Sequence, residues 1–359
     1  MTARERFNRA MRFLSVDRLP LLAPDIWDDT RERWEVEGMV DYEQEFDLFD
    51  GPMQSCWLYW TFQGPIPPFE EKVIKESDRY RDVQNYLGQL RRELKSSTSM
   101  PRFVEYPVKS RSDWNEYKKR FDPDSPGRYP EDWEQCVQNR KAKKSGDIRG
   151  VAVWGFYGFP REMFGPERLS LMFHDDPSLI MEMNEYWACF TVRRLERAVR
   201  EMEFDYAIIW EDNCYNHGML HSPACFRKFM MPFYKVLVEF FRGNGIEIIS
   251  VDSDGDVTEL LPLLLDAGVT SIHPLEVASG MDVVRIGRDY PDLQIWGGID
   301  KRALARGPDA IDAELERVIP PMRKRGGYAA CLDHLIPSDV SLSNHRYYAG
   351  RLLEMSREA

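Results

Sequence analysis

Acidic side chains and imidazoles follow short apolar segments at five places along this chain. The residues at these places are Glu211 and Asp212, Asp252 and Asp254, Glu276, Asp300, and Asp333 with His334. Carboxylates and imidazoles transfer protons in catalysis, and they also bind divalent cations. A single one of these residues could simply belong to a turn, but their repetition indicates a polar pocket that binds a ligand or a metal.

Further candidates for substrate contacts lie close to these places in the sequence. Tyr157 and Arg161 follow the apolar segment 150–155, and His217 and His221 occupy the loop after Glu211 and Asp212. His273 falls inside a predicted strand, which is more typical of a buried histidine whose polar atoms are paired.

Tryptophans also stand at strand ends, where they could form an aromatic wall for a flat substrate or cofactor. They are Trp27, Trp154, Trp210 and Trp296, although core packing is the better explanation for at least half of them. The residues that we predict to bind substrate are Tyr157, Arg161, Asp212 and Trp27.

Six apolar segments alternate with helical segments from residue 147 onward, and one or two more precede them. The six are residues 150–155, 205–210, 246–251, 270–273, 293–296 and 327–332. This alternation predicts βαβ units with a parallel sheet, and the number of strands favours a closed barrel. The carboxyl ends of parallel barrel strands converge on one face, so the polar residues that follow them are expected to meet there.

Residues 71–75 and 80–84 have the pattern of a β-hairpin, which we interpret as an N-terminal insertion covering one end of the barrel. A net charge of −12 over 359 residues disfavours binding to nucleic acid or to an anionic membrane. There is no GxGxxG after a strand and no GxxxxGK[ST], which argues against dinucleotide or P-loop chemistry. Scattered cysteines and the lack of a signal-peptide pattern predict a cytoplasmic protein.

Several motifs together resemble the uroporphyrinogen decarboxylase-like superfamily. They are Glu5-Arg-Phe-Asn-Arg-Ala-Met, Gly218-Met-Leu-His-Ser-Pro223 downstream of Asp212, Gly297-Gly-Ile-Asp300 and His334-Leu-Ile-Pro337. The match runs through nearly the whole chain in order. The resemblance implies one (β/α)8 TIM-barrel domain over residues 1–359, and a monomer or homodimer.

The superfamily holds two main chemistries. One is zinc-dependent methyl transfer involving a corrinoid protein, a thiol or a folate, and its ligand spacing falls here on Asp252, Asp254, Glu276 and His334. Every thiolate of that ligand set is replaced, so the resemblance implies zinc or a harder divalent metal, or no metal at all. Without a metal, Asp254 or Glu276 could act as the base and His334 as the acid.

The other chemistry is uroporphyrinogen decarboxylation, which needs no cofactor. That enzyme is recognised by an M-R-Q-A-G-R-Y segment whose arginines hold substrate carboxylates. The corresponding place here carries Asp25, Asp28 and Asp29, which would repel a porphyrinogen with its many carboxylates.

We therefore predict methyl transfer between a methylated small molecule or a corrinoid protein and an acceptor such as tetrahydrofolate. Asp254, His334 and Glu211 are the predicted catalytic residues. A metal-free decarboxylase or lyase is the alternative, and a barrel that binds a ligand without catalysis is a third possibility.

Overall fold

The computed structural model describes residues 1–52, 61–95, 100–142 and 146–357. The strands in these ranges are β1 (Leu22–Ala23), β2 (Gly51–Pro52), β3 (Lys72–Glu76), β4 (Tyr80–Gln84), β5 (Leu90–Leu94), β6 (Arg102–Glu105), β7 (Gly150–Trp154), β8 (Tyr206–Trp210), β9 (Cys214–Tyr215), β10 (Gly218–Met219), β11 (Ile248–Asp252), β12 (Ser271–His273), β13 (Gln294–Trp296) and β14 (Tyr328–Ala329).

Helices follow most of the parallel strands and form the outer layer. They are α1 (Ala3–Met11), α2 (Asp28–Val36), α3 (Tyr42–Glu45), α4 (Arg111–Tyr117), α5 (Trp133–Ala142), α6 (Gly158–Phe164), α7 (Pro166–Asp175), α8 (Pro177–Glu201), α9 (Pro223–Phe229), α10 (Met231–Gly243), α11 (Leu260–Asp266), α12 (Val283–Asp289), α13 (Lys301–Arg306), α14 (Pro308–Arg325) and α15 (Leu342–Arg357). No helix of the described ranges is both long enough and apolar enough to cross a bilayer.

The parallel strands are arranged in the order of a (β/α)8 barrel. Strands β7, β8, β11, β12, β13 and β14 are neighbours in one parallel sheet. Beyond β14, the sheet order continues with the segment that contains β1, because Leu21 forms a parallel bridge with Ala330. Strand β1 in turn pairs in parallel with β2. The two ends of the order approach each other, since a carbon added at Gly51 would lie 3.8 Å from Ile148 Cδ1. The predicted barrel fold is confirmed.

The barrel strands contribute side chains to two separate apolar clusters, one on each face of the sheet. Val151, Ile209 and Val251 belong to the large cluster that packs with the helices. The alternate positions fill the interior in a smaller cluster, which consists of Phe7, Met11, Leu22, Ile148, Ala152, Tyr206, Ile208, Ile248, Trp296, Ala329 and Cys331. Burial on both faces explains the nearly continuous apolar runs in the sequence.

Helix α1 closes the amino end of the barrel. The ring of Phe7 lies 5.6 Å from that of Tyr206 and 5.7 Å from that of Trp296. Gln294 Nε2 donates a 2.9 Å hydrogen bond to the carbonyl of Met11. Gly150 leaves the room that the Tyr206 ring needs, because a carbon added there would lie 2.3 Å from Tyr206 Cζ. With this end filled, the open face of the barrel is the carboxyl one.

The insertion before the regular βα units is larger than the predicted hairpin. Strands β3 and β4 form that hairpin, but β5 and β6 extend it to a four-stranded antiparallel sheet. Gln89, just before β5, connects the sheet to the barrel, because its Nε2 donates to the carbonyl and carboxylate of Glu162 in α6, at 2.9 and 2.7 Å. The sheet therefore lies against the helix that follows β7.

Candidate active site

His334 and Asp254 form an ion pair at the carboxyl mouth of the barrel. Asp254 follows β11 and His334 lies beyond β14, and their Nε2 and Oδ2 atoms are 3.3 Å apart. Both side chains keep access to solvent, with 27% and 36% exposed respectively. A pair that is held in contact and reachable from the mouth can exchange protons with a bound molecule.

Each partner stabilises the charged form of the other. Burial alone would lower the pKa of His334, but the hydrogen bond and charge of Asp254 outweigh it and raise that pKa above its ordinary value. Burial alone would raise the pKa of Asp254, yet His334 brings it below its ordinary value. The contact therefore favours the imidazolium–carboxylate form of the pair.

A second ion pair lies beside the first. Arg161 of α6 donates from both Nη atoms to Asp212 Oδ2 at 3.0 Å, and its guanidinium lies 4.6 Å from the centre of the Trp210 ring. Burial raises the pKa of Asp212, while Arg161 opposes this and the charge of Asp254 adds to it. Asp212 has a left-handed backbone with a φ of 50°. The two pairs thus share one electrostatic environment.

Tyr157 lies next to Arg161 at the start of α6. Its ring is fully buried, and its hydroxyl makes no hydrogen bond within the described ranges. Burial raises the pKa of Tyr157 to about 12, which Arg161 partly opposes. The hydroxyl is therefore a neutral donor that is buried beside Arg161.

Glu211 is not brought to the pocket, although we predicted it to be catalytic. Its carboxylate is fully buried and accepts hydrogen bonds from the backbone N–H groups of Phe156, Tyr157 and Gly158, at 2.6–2.8 Å, and from the Tyr234 hydroxyl at 2.6 Å. These N–H groups belong to Gly158, the first residue of α6, and to the two residues before it, and N–H groups at a helix start normally need an acceptor. Burial raises the pKa of Glu211 despite these donors.

Beneath the mouth, the barrel interior has a polar layer. Asp252 pairs in register with His273 on the neighbouring strand, and both side chains are buried. Burial raises the pKa of Asp252 well above its ordinary value, reinforced by Asp254 and Asp212, and burial lowers the pKa of His273 to about 3. Burial thus favours the neutral form of both groups.

Glu276 and Asp333 tie together the loops around the pair. Glu276 accepts hydrogen bonds from Gly255 N at 3.3 Å and Ser279 Oγ at 3.1 Å, and lies 3.8 Å from Lys301 Nζ. Asp333 accepts hydrogen bonds from the N–H groups of Val277 and Lys301. These carboxylates hold the loops after β12, β13 and β14 around His334.

The predicted metal ligands do not assemble into a metal site. Of Asp252, Asp254, Glu276 and His334, only Asp254 and His334 are in direct contact. Throughout residues 1–52, 61–95, 100–142 and 146–357, no group of three or more His, Cys, Asp or Glu side chains is arranged to hold a metal ion. The assignment of these four residues to a metal therefore stays a prediction, and the reaction proposed below uses side chains alone.

Three other candidates have separate positions. Trp27 is half-buried at the N-cap of α2 and does not line the cavity described below. His221 hydrogen-bonds through Nε2 to Asn213 Oδ1 at 2.7 Å, and burial lowers its pKa to about 4. His217 is exposed, with its ring 5.8 Å from that of Tyr215. None of the three is in direct contact with the His334–Asp254 pair.

Asp25 is a site residue that the sequence analysis did not identify as one. It follows β1, and burial raises the pKa of its carboxyl to about 6, while the nearby charges of His334 and Arg31 oppose this. The signal was available, because Asp25 stands after an apolar strand just as Asp254 and His334 do. It brings the first strand of the barrel into the site.

A cavity of about 820 Å³ opens between α2, α3 and the ends of β1 and β2. Its lining includes Ala23, Pro24, Asp25, Ile26, Arg31, Glu35, Met39, Val40, Asp41, Tyr42, Glu43, Phe46, Asp47, Phe49, Gly51 and Leu335. This volume is in the range of small-molecule sites. Asp25 and Leu335, the residue after His334, connect the cavity to the ion pair.

Comparisons with known proteins agree with this architecture. The family model described as "Uroporphyrinogen decarboxylase (URO-D)" matches residues 93–350. No curated protein matches the chain. Among solved structures, a methyltransferase from Methanosarcina mazei has a TM-score of 0.61 at 12% identity, with 99% of each chain covered.

A B12-independent methionine synthase from Shewanella sp. W3-18-1, solved in complex with selenomethionine, has a TM-score of 0.45 at 12% identity. The match covers 95% of this chain and 97% of that one. At such identities, the likeness of the methyltransferase structure speaks for the fold alone.

Proposed function

The chain belongs to the uroporphyrinogen decarboxylase (URO-D) family, and on this premise we propose that it transfers a methyl group between a small molecule and an acceptor, with His334 and Asp254 as its proton-transfer pair. The observation that carries this proposal is the 3.3 Å contact between the two side chains at the open mouth. A metal is not part of the proposal, because the described carboxylates and histidines do not form a ligand set.

In the proposed reaction, the bond between the methyl carbon and a heteroatom of the donor breaks, and a bond from that carbon to the acceptor forms. The electron pair of the broken bond stays on the heteroatom, and protonated His334 donates its proton there. Asp254 stabilises the imidazolium before the transfer and orients the ring. The acceptor supplies the electron pair of the new bond and is a reduced corrinoid protein or tetrahydrofolate, as the family resemblance implies. A reduced corrinoid has no proton to lose, whereas N5 of tetrahydrofolate releases its proton to solvent.

Neighbouring side chains support binding rather than proton transfer. We propose that the free hydroxyl of Tyr157 donates a hydrogen bond to the substrate, and that Asp212 and Arg161 line its binding site. Trp27 would contact only a substrate that extends beyond the described cavity. Glu211 keeps α6 in place, because all its lone-pair positions face donors inside the protein.

The charges around the mouth disfavour the alternative of uroporphyrinogen decarboxylation. Among the described residues that line the cavity, the charged groups are five carboxylates and one cation, Arg31. The carboxylates are those of Asp25, Glu35, Asp41, Glu43 and Asp47. A substrate with many carboxylates would be repelled there, since like charges raise the cost of binding. Anaerobic incubation with uroporphyrinogen, followed by chromatography, is expected to show no loss of carboxylates.

The test of methyl transfer uses the purified protein under anaerobic conditions, with methyltetrahydrofolate as donor and cob(I)alamin as acceptor. We expect the corrinoid spectrum to change with time and methylcobalamin and tetrahydrofolate to accumulate. The variants His334→Gln and Asp254→Asn should abolish this change, whereas His217→Gln should retain it. An unchanged spectrum with the wild-type protein, at any added metal, would overturn the proposal.

Metal analysis of the same preparation tests the assignment of the pair. We expect less than one equivalent of any transition metal, and no change in content on substituting Asp254. A stoichiometric metal that is lost in Asp254→Asn would show that the two side chains are ligands instead.

A further inference from the structure

The cavity between α2 and α3 has a deep end next to the catalytic pair and a mouth in solvent. Ala23, Pro24 and Asp25 form the deep end together with Leu335, which directly follows His334. Glu35, Asp41, Glu43 and Asp47 are exposed and surround the mouth. A small molecule that enters here reaches the site by passing these four side chains.

The carboxylates of this cavity are largely uncompensated. In the described ranges, none of Asp25, Glu35, Glu43 and Asp47 forms an ion pair, and Asp41 uses one oxygen to accept a hydrogen bond from Gln44 N at the start of α3. The cation that lines the cavity is Arg31, on α2. The carboxylates give the cavity a negative charge, which favours a ligand of opposite charge.

Aromatic rings supply the second feature of the cavity. Tyr42, Phe46 and Phe49 form an aromatic wall of the cavity, and they pack around the buried His345 with ring centres 5.9, 4.5 and 6.4 Å from its ring. The faces of aromatic rings attract cations, above all those with a diffuse charge such as alkylated ammonium groups. Metal ions and other strongly hydrated cations gain little from such a wall.

We infer that this cavity binds the substrate through an organic cation, with an alkylated ammonium group held between the aromatic wall and the carboxylates of Asp25 and its neighbours. As a statement about the substrate, the inference rests on the proposed function. The cation is the group that the cavity recognises, whereas the methylated heteroatom is the group that reaches His334.

Asp25 gives the cavity its connection to catalysis. Its carboxyl interacts with the charge of His334 on one side and lines the cavity on the other. A cation bound beside Asp25 therefore lies next to the proton donor, which is the position that a substrate of the pair must take.

The test measures binding directly, by calorimetry with choline, with its uncharged isostere dimethylbutanol, and with the anion pivalate. Choline should bind at least about 10-fold more tightly than dimethylbutanol, which corresponds to about 1.4 kcal/mol, and pivalate should not bind. Choline affinity should fall as salt is raised, since exposed carboxylates contribute through screened charge.

Variants identify the site. Asp25→Asn should weaken choline binding by about 5- to 10-fold, and Asp47→Asn, at the exposed mouth where folding is not at risk, should weaken it by a smaller factor. The matched control Glu185→Gln alters an exposed carboxylate on α8 and should leave the affinity unchanged.

The outcomes separate the two proposals. Equal binding of choline and dimethylbutanol, or equal loss in Asp25→Asn and Glu185→Gln, would overturn the inference even if methyl transfer is observed. Pivalate binding as tightly as choline would assign the cavity to anions through Arg31. Choline binding that depends on Asp25, without any methyl transfer, would keep the inference and overturn only the proposed reaction.

Discussion

The charge state of His334 depends on the contact with Asp254, so the two side chains should fail together when either is changed. General acid–base groups contribute about 10²–10⁴-fold to enzymatic rates. The Gln side chain can keep a hydrogen bond to Asp254 but cannot donate a proton to a leaving group. The effect of this change therefore isolates proton transfer from packing.

We predict that His334→Gln lowers kcat by about 10²-fold or more, with a smaller change in KM. Steady-state kinetics with methyltetrahydrofolate and cob(I)alamin measure both constants, and circular dichroism checks the fold. The exposed His217 provides the control His217→Gln, which should keep kcat. If both variants lose activity equally, His334 has no special role.

The pH dependence of the rate should follow the raised pKa of His334. The acid form is present below this pKa, so kcat/KM should be high there and fall as the pH rises through it. In Asp254→Asn, the group that raises the pKa is removed, and the fall should move to lower pH. A pH profile of unchanged position in Asp254→Asn would contradict the assignment.

Linkage gives the same pair a window of stability. The raised pKa of His334 contributes stability that is present below its unfolded pKa of about 6.5 and is lost as the pH rises through the folded value. The lowered pKa of Asp254 contributes stability above its unfolded pKa of about 3.9, lost as the pH falls. The pair stabilises the fold most between these limits.

At this scale, the sequence identified Asp254 and His334 as partners, because the rule about strand ends applies to both. It could not separate Glu211 from Asp212, since neighbouring carboxylates look alike until their donors are known. Gly155 and Gly158 are the residues that distinguish Glu211, because they leave room for this corner of the chain. A carbon added at Gly155 would lie 2.0 Å from Glu211 Oε1, and one added at Gly158 would lie 2.7 Å from the carbonyl oxygen of Trp210.

At the scale of single elements, the start of helix α6 is stabilised by the buried carboxylate of Glu211, which lies far from the helix in sequence. We predict that Glu211→Ala lowers the free energy of unfolding by about 3 kcal/mol or more, because three N–H groups and the Tyr234 hydroxyl lose their acceptor. Urea unfolding measures this change. Glu167→Ala, at an exposed carboxylate in the first turn of α7, should cost no more than a few tenths of a kcal/mol.

Similar urea midpoints for Glu211→Ala and Glu167→Ala would mean that water accepts the hydrogen bonds that the Glu211 carboxylate accepted. The activity of Glu211→Ala should fall through the displacement of Tyr157 and Arg161, both in or beside α6.

The four-stranded sheet shows where element prediction stops. β3 and β4 were predicted from turn residues, but β5 has the sequence Leu-Arg-Arg-Glu-Leu, without alternation of apolar and polar positions. Its residues are half-buried or exposed, so no single face selects apolar side chains. Pairing with β4 forms this strand, and pairing across the chain is invisible to local patterns.

At the scale of the whole molecule, the barrel was predictable because six of its strands are buried on both faces and therefore apolar throughout. The short strands β1 and β2 were less visible, since pairing over two residues leaves little pattern. That residues 1–359 form one domain stays a prediction.

A single unit should unfold in one cooperative transition. We expect the urea curves from far-ultraviolet circular dichroism and from tryptophan fluorescence to coincide, because both report loss of the same core. Separate midpoints, or a proteolytic fragment of residues 100–357 that folds alone, would show instead that the chain contains two units.

The left-handed backbone at Asp212 has a consequence for how this protein can change over generations. Two consecutive acidic residues serve different neighbours, one inside the protein at the start of α6 and one at the rim beside Arg161. Loss of a single codon between Trp210 and Asn213 would remove one of the two acidic residues, and gain of a codon would shift their positions, so either change would disturb their contacts. Lineages that alter this corner must do so by replacing side chains at constant length.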